Sequence, residues 1–237
     1  MSLSSSLFLV SVFVRLIKFL STQVLWLPED DSPILSLVFV DLLLVAIFIL
    51  QHTMMASHSF RKRVKTWGLA PLHRTGYNVA TCLVLNLLIG YWQPISGVSL
   101  WLLNVPSGSL LWTFFFLLHT AAWCVIVLEL LIMDPLEFIG VKSVYYYVRD
   151  WYSPTYYMSA KLRHLFEHMR HPGATALLLI LWLHPLMTLD RAMLAFLWTF
   201  YLSWGHRVTE RDYIFVEDQV YSKTVTWKKI QISGAKS

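Results

Sequence analysis

Residues 34–55 of the chain read ILSLVFVDLLLVAIFILQHTMM, and this stretch decides the fold class. Only Asp41 and His52 interrupt it with ionisable side chains. A helix needs about 20 mostly apolar residues to cross the hydrocarbon core of a membrane. The stretch has that length and composition, and it therefore predicts a membrane-spanning helix.

Further apolar runs lie on both sides of this one. The predicted spans are 6–27, 34–55, 76–93, 109–133, 174–188 and 191–206. In the first span Arg15 and Lys18 must either reach the membrane surface or face a partner helix. The fifth and sixth spans are short and nearly continuous, so we expect a tight helical hairpin, with Pro185 ending the fifth helix. The pattern predicts an all-α fold, a polytopic membrane helix bundle of about six transmembrane helices.

The composition agrees with a chain that lies mostly inside the bilayer. It is 57% hydrophobic and 14% charged, whereas soluble domains carry about 25% charged residues. We expect one membrane-embedded domain over residues 1–237, with an interfacial loop at 134–173 and a tail at 207–237. Cys82 and Cys124 both lie in apolar runs, which argues against a disulfide framework.

The basic residues alternate between the predicted loops, which gives an orientation. The loop after the second span and the loop before the fifth are rich in Lys and Arg, and the tail holds six bases. The loops after the first and third spans contain none. Because basic loops stay on the cytosolic side, we expect both termini to be cytosolic or nucleoplasmic. The net charge of +5 is thus explained by topology, and no nucleic-acid partner is expected.

The loop at 134–173 is dense in aromatic residues. It contains Val144-Tyr145-Tyr146-Tyr147-Val148, then Trp151-Tyr152 and Tyr156-Tyr157. Such density is typical of a segment that lies along the lipid headgroups. We favour this interpretation over a site that stacks a ligand between rings.

Ionisable side chains at membrane depth are costly, and each is therefore a candidate site residue. Asp41 and His52 are three helical turns apart and share one face. Helix direction places a set of polar side chains at one level near the inner surface. This inner polar layer comprises His52, Tyr77, Glu129, Arg170, His171, His206 and Glu210. Convergent polar groups in a bundle predict a pocket, although several of these could simply be interfacial residues that touch water.

Several short motifs resemble one known family. They are Gln51-His52-Thr53-Met54-Met55-Ala56, Arg63-Val64-Lys65-Thr66-Trp67, Tyr91-Trp92-Gln93-Pro94-Ile95, Gly140-Val141-Lys142-Ser143-Val144-Tyr145-Tyr146, Leu162-Arg163-His164-Leu165-Phe166, and Asp190-Arg191 followed by Leu194-Ala195-Phe196-Leu197. In this order, over about residues 35–215, the chain resembles the nurim family of multi-pass inner nuclear membrane proteins, whose biochemical activity is unsettled. The resemblance implies location in the inner nuclear membrane, with the lipid bilayer and nuclear envelope or lamina proteins as partners.

Nurim-like chains are in turn distantly similar to isoprenylcysteine carboxyl methyltransferases and NnrU-type membrane proteins. The shared signature is an Arg-His-Pro at the start of a helical hairpin and an acid beyond it, here Arg170-His171-Pro172 and Glu210. This resemblance implies a methyltransferase-like fold and an S-adenosylmethionine site for methyl transfer to a lipophilic small molecule. The chain departs from the methyltransferase pattern at Gly173 and Ala174, and at Arg211 in place of a second acid.

The plant zeta-carotene isomerase, a member of the NnrU-like group, carries haem. Its first-helix histidine resembles His52, and the resemblance implies that haem here would take a second axial ligand from His171, His206 or His119. No other metal site is expected. The candidate cofactor-binding residues are therefore His52, Arg170, His171, His206 and Glu210. Three classes of function remain open: a non-enzymatic membrane resident, a methyltransferase using S-adenosylmethionine, and a haem protein.

Overall fold

The structure, a computed structural model, describes residues 3–22, 33–132, 135–151, 170–205 and 221. The chain divides into two compact units, Met1–Trp198 and Thr199–Ser237. The elements are α1 (Leu3–Ser21), α2 (Ile34–Ala56), α3 (His58–Thr66), a 3₁₀ turn (Ala70–Leu72), α4 (His73–Tyr91), β1 (Ser99–Leu102), α5 (Leu110–Ile132), α6 (Pro135–Ile139), α7 (Val141–Val148), α8 (Arg170–Trp182), β2 (Leu186–Thr188) and α9 (Leu189–Gly205). The predicted all-α class is confirmed, since the described chain is mostly helical.

Two of the described helices, α2 and α5, are long and apolar enough to cross a membrane. Their most apolar windows have mean hydropathies of 2.7 and 2.2, yet only 17% and 22% of those windows are buried. Both helices carry exposed apolar side chains, such as Leu35, Leu50 and Leu110. A core helix of a soluble protein would bury these side chains, because exposing them to water is unfavourable. The exteriors of α2 and α5 are therefore suited to lipid.

The first unit holds an apolar core in which the helices meet. Within it α2 packs on α4, α5 packs on α8, and α1 packs on both α4 and α8. Phe48 of α2 also meets Trp198 of α9, with ring centroids 5.1 Å apart. The buried core residues are Leu20, Val45, Phe48, Leu88, Trp92, Ala122, Trp123, Ala176, Ile180, Leu181, Leu194 and Ala195. The first helix and the last helix of the unit in sequence, α1 and α9, therefore contribute to the same core.

The hairpin differs from its prediction. The predicted fifth span, 174–188, ends as a helix at Trp182, and β2 follows and pairs antiparallel with β1. Pro185 cannot continue a helix because it lacks an N–H group, and its carbonyl instead accepts a hydrogen bond from the N–H of Leu103 at 2.9 Å. Trp101 adds a bond from its Nε1 to the carbonyl of His184, also at 2.9 Å. The turn of the hairpin is therefore joined to the loop between α4 and α5.

The remaining predicted spans agree with helices to within a few residues at the described ends. Residues 23–27 of the first predicted span lie outside the described residues. Within α1 the guanidinium of Arg15 donates a hydrogen bond to the side-chain carbonyl of Asn86 in α4. This confirms one of the two expectations for Arg15, that it faces a partner helix.

The predicted interfacial loop contains two short helices, of which α6 contacts α4 and α7 contacts the 3₁₀ turn before it. Gly140, between α6 and α7, has a φ of +87°. The hydroxyl of Thr75 donates to the carbonyl of Ile139 at 3.2 Å, and the amide of Asn78 donates to that of Phe138 at 2.6 Å. Beyond Trp198, the rings of Phe200 and Trp204 lie 6.1 Å apart within the second unit.

Candidate functional site

The inner polar layer begins with His52 on the last turns of α2. Its Nε2 lies 2.5 Å from the hydroxyl of Tyr77 on α4. The ring of Phe48, one turn earlier, stacks on the imidazole at 5.6 Å. These contacts arise because α2 and α4 are adjacent. They confirm that His52 faces protein and that His52 and Tyr77 lie at one level.

A second contact of this layer joins α5 to the start of α8. The carboxylate of Glu129 lies so close to Gly173 that a Cβ atom there would overlap it. A glycine is therefore required if Glu129 is to keep this position. Gly173 lies one turn after Arg170, so Glu129 reaches the Arg-His-Pro end of the hairpin, as the depth argument predicted.

The structure leaves the other predicted site residues untested. Arg170 and His171 form the first turn of α8, but their side chains lie outside what the structure describes. His206 and Glu210 fall outside the described residues altogether. The contacts His52–Tyr77 and Glu129–Gly173 are thus the described part of the layer, and its closure into one pocket stays a prediction.

The hydrogen bonds of His52 and His119 do not favour haem ligation. His52 directs Nε2 at the Tyr77 hydroxyl. His119 uses both ring nitrogens, Nδ1 with the Ser21 hydroxyl at 2.9 Å and Nε2 with the Leu183 carbonyl at 2.9 Å. An axial ligand needs a ring nitrogen that is available to the iron. The haem interpretation would therefore require these bonds to break.

A second group of polar contacts, which the sequence did not predict, lies near the hairpin turn. Asp190 accepts from Trp92 Nε1 at 2.9 Å and from the N–H of Ile95 at 3.2 Å. Asp41, fully buried, accepts from the N–H of Gln93 at 2.8 Å through Oδ1. Two carboxylates thus hold the chain at the end of α4. The signal for Asp41 was its depth in an apolar helix, whereas Asp190 lies beside a predicted turn and gave no such signal.

Arg191 and two histidines continue this group. The guanidinium of Arg191 donates to the carbonyl of Leu20 in α1. The ring of His119 lies 5.7 Å from that of His184, which is 2% exposed. Ser21 accepts from Trp123 Nε1 at 2.8 Å and so ties α1 to α5. Polar side chains therefore connect α1, α5 and the hairpin at this level.

The chain is similar over most of its length to several nurim proteins. It is 36% identical to human nurim over 204 residues, which cover 84% of this chain and 76% of that protein. It is 36% identical to nurim of Xenopus laevis over 202 residues, 82% of this chain and 69% of the relative. A nurim homolog of Drosophila pseudoobscura pseudoobscura is 35% identical over 176 residues, 74% and 70% of the two chains.

The chain belongs to the nurim family. No family model matches it, and no solved structure does either. Several motifs that carry the nurim resemblance also make the contacts described above: His52 meets Tyr77, Trp92 meets Asp190, and Arg191 meets Leu20. Membership of the nurim family and the two exposed apolar helices together indicate a membrane protein.

Proposed function

We propose that this nurim-family chain is a multi-pass resident of the inner nuclear membrane, where its helices form a scaffold within the bilayer. The observation that carries the proposal is the match to nurim proteins over about four-fifths of the chain, for example 84% with the human protein. The lipid-suited exteriors of α2 and α5 support it. Retention at the nuclear envelope would then depend on the membrane-embedded helices.

The proposal includes six membrane crossings. Four further helices, α1, α4, α8 and α9, pack around α2 and α5 in a shared apolar core. The alternation of basic loops supports an even number of crossings with both termini on the nucleoplasmic side.

Localisation tests this proposal. A fluorescent fusion of the full chain should line the nuclear rim and resist detergent extraction better than a resident protein of the endoplasmic reticulum. A fusion truncated after Tyr221 should behave in the same way, because the retained part holds every predicted span. A uniform reticular pattern for the full-length fusion would contradict the proposal.

A second candidate is methyl transfer from S-adenosylmethionine at the inner polar layer. The contact between Glu129 and Gly173 favours it, because it places a carboxylate beside the helix that starts with Arg170. When bound, the cofactor would supply an activated methyl group. Arg170 would pair with its carboxylate in a charge-assisted fork, while His171 and Glu210 would hold its polar groups.

The two functions differ in cofactor retention. If methyl transfer is correct, the purified full chain should bind S-adenosylmethionine in isothermal titration, and Arg170→Ala should abolish binding while expression stays unchanged. A matched change of an exposed base elsewhere, Arg149→Ala, should leave binding intact. If the unaltered chain does not bind S-adenosylmethionine, the methyl-transfer function is ruled out and the scaffold function remains.

A further inference from the structure

A cationic cavity lies between α1, α4 and the turn of the hairpin. It has a volume of about 500 Å³. Arg15 and Lys18 line it from α1, and Arg191 lines it from the start of α9. One acid, Asp190, shares the lining. Three cationic side chains against one carboxylate give this cavity an excess of positive charge.

The hydrogen bonds that Asp190 and Arg191 make within the protein do not neutralise the positive charge of the cavity. Both carboxylate oxygens of Asp190 already accept hydrogen bonds, from Trp92 and Ile95. The Nε of Arg191 is buried and has no hydrogen-bond partner among the described residues. Asp190 offsets only part of the positive charge that Arg15, Lys18 and Arg191 bring to the lining. The cavity therefore suits an anionic group.

An apolar cavity of about 900 Å³ lies on the other side of α1, against α5. Aromatic and aliphatic side chains form most of its wall, including Trp112, Phe115, Phe116, Trp123 and Leu128. Its size lies within the range of lipophilic ligand sites, about 300–1,000 Å³. Since it adjoins the exposed apolar face of α5, an acyl chain can occupy it without leaving an apolar environment.

The two cavities share part of their lining. Lys18, Thr22 and His184 border both of them. An anionic site and an apolar site that meet along a common wall match the two ends of an amphiphile. We propose that the paired cavities bind one anionic phospholipid, with its headgroup phosphate beside Arg15, Lys18 and Arg191 and an acyl chain along α5. This site is separate from the inner polar layer and holds whether or not methyl transfer occurs.

Lipid retention by the purified full chain tests the site. Native mass spectrometry would compare dioleoyl phosphatidic acid with dioleoyl phosphatidylcholine, which carries the same chains on a headgroup of no net charge. The unaltered chain should retain phosphatidic acid in preference. Lys18→Gln should lower that preference about fivefold, as expected for one cation close to a lipid phosphate. Lys18 is exposed, so this change does not disturb the core.

Matched variants distinguish the site from surface charge. Lys65→Gln removes an exposed lysine of α3 outside both cavities and should leave the preference unchanged. Thr120→Phe fills the apolar cavity and should reduce retention of both lipids, whereas Ala121→Phe, at the next and also exposed position, should not. Inorganic phosphate at equal concentration should not displace the lipid.

Four results would overturn the proposal. They are equal retention of the two lipids by the unaltered chain, an equal loss of preference in Lys65→Gln, no difference between Thr120→Phe and Ala121→Phe, and full displacement of phosphatidic acid by inorganic phosphate. The last would indicate a site for free phosphate instead of a phospholipid.

Discussion

Asp41 shows how a single residue connects the apolar sequence to the fold. It is fully buried in α2, and its Oδ1 accepts a hydrogen bond from the N–H of Gln93 at 2.8 Å. Gln93 lies just beyond the end of α4, where backbone N–H groups are no longer engaged by the helix. The carboxylate supplies the acceptor that this N–H group needs. This burial and this hydrogen bond confirm the prediction that Asp41 faces protein, which rested on the cost of exposing a carboxylate to lipid.

Two substitutions of Asp41 should distinguish the contribution of its hydrogen-bond acceptor to stability from the contribution of its charge. Asp41→Ala leaves the Gln93 N–H buried without an acceptor and should lower the free energy of unfolding by about 1–3 kcal/mol. Asp41→Asn keeps a carbonyl oxygen at the same position and should cost less. Thermal unfolding in detergent, followed by tryptophan fluorescence, would compare them. Equal losses for both variants would show that the charge matters and the hydrogen bond does not.

Gly140 is a position where a side chain meets both strain and a clash. Its φ is +87°, and a Cβ atom there would lie 2.7 Å from the Thr75 hydroxyl and 3.0 Å from the Thr75 nitrogen. Gly140→Ala should therefore disturb the turn between α6 and α7 where it meets the start of α4, at a cost of about 1–3 kcal/mol. Gly68 also has a positive φ, +73°, but borders open space. Gly68→Ala is thus the matched control, and it should cost only the backbone strain. A loss in Gly68→Ala as large as that in Gly140→Ala, measured by the same thermal unfolding, would show that contact with Thr75 contributes nothing.

The polar residues also show what sequence can and cannot predict at this scale. His52 and Asp41 were identified because an ionisable group in an apolar run is expensive and must find a partner. The role of Asp190 could not be found in that way, because it lies next to a turn. Its partners Trp92 and Ile95 are 98 and 95 positions away in sequence. Only the packed structure brings such distant groups together.

At the scale of elements, α2 has two unlike faces although its sequence is apolar all round. Val45 and Phe48 are buried in the core, with exposures of 2% and 5%, whereas Leu50 is 68% exposed. A uniformly apolar helix gives no periodic signal to separate the face toward protein from the face toward lipid. The span could thus be predicted from the sequence, and its packing face could be located only through Asp41 and His52.

A pair of alanine substitutions tests this division of α2. Phe48→Ala removes a ring that packs on Trp198 and His52 and should cost about 3–5 kcal/mol through the cavity left behind. Leu50→Ala, two residues later on the exposed face, should change stability by less than about 0.5 kcal/mol. The ratio of the two losses in lipid nanodiscs is the measurement. Comparable losses would mean that Leu50 packs against protein in the membrane.

The strands β1 and β2 show the limit of local patterns for an element. Both are short, Ser99–Leu102 and Leu186–Thr188, and their pairing contains a register irregularity between Ser99 and Trp101. Strands of this length have no reliable periodicity, and their stability depends on a partner that is remote in sequence. The break at Pro185 was predictable from its missing N–H group, but the strand after it was not.

At the scale of the first unit, two polar contacts show how α2 and α4 run relative to each other. Asp41 contacts Gln93 after the end of α4, while His52 contacts Tyr77 near its start. The two helices are therefore antiparallel. The rise per residue separates Asp41 from His52 by about 16 Å along the helix. This direction agrees with alternating crossings, in which α2 runs toward the basic loop at 57–72 and α4 runs away from it.

Glycosylation mapping tests the resulting topology. Gly68 lies in the basic loop between α2 and α4, and Gly97 lies between α4 and β1, in a loop without bases. A Cβ atom at either glycine would meet open space, so both positions should accept a short flexible insertion carrying Asn-Ser-Thr. Because glycosylation occurs in the lumen, the insertion after Gly97 should be modified and the one after Gly68 should not. A mobility shift removed by endoglycosidase is the measurement.

The two insertions control for each other, since they have the same sequence and lie five and six residues from the two ends of α4. The expectation rests on the positive-inside rule, in which Lys and Arg near a span hold a loop on the cytosolic side. Removing the bases should then weaken the orientation of the loop: replacing Arg61, Lys62, Arg63 and Lys65 by Gln should yield some modification after Gly68.

Modification after Gly68 in the unaltered chain would show that the orientation is the inverse of the one predicted. The cavities around Lys18 and Arg191 would then face the cytosolic leaflet, where anionic phospholipids are abundant, and the inner polar layer would face the lumen. Topology therefore decides which leaflet supplies the lipid that we propose.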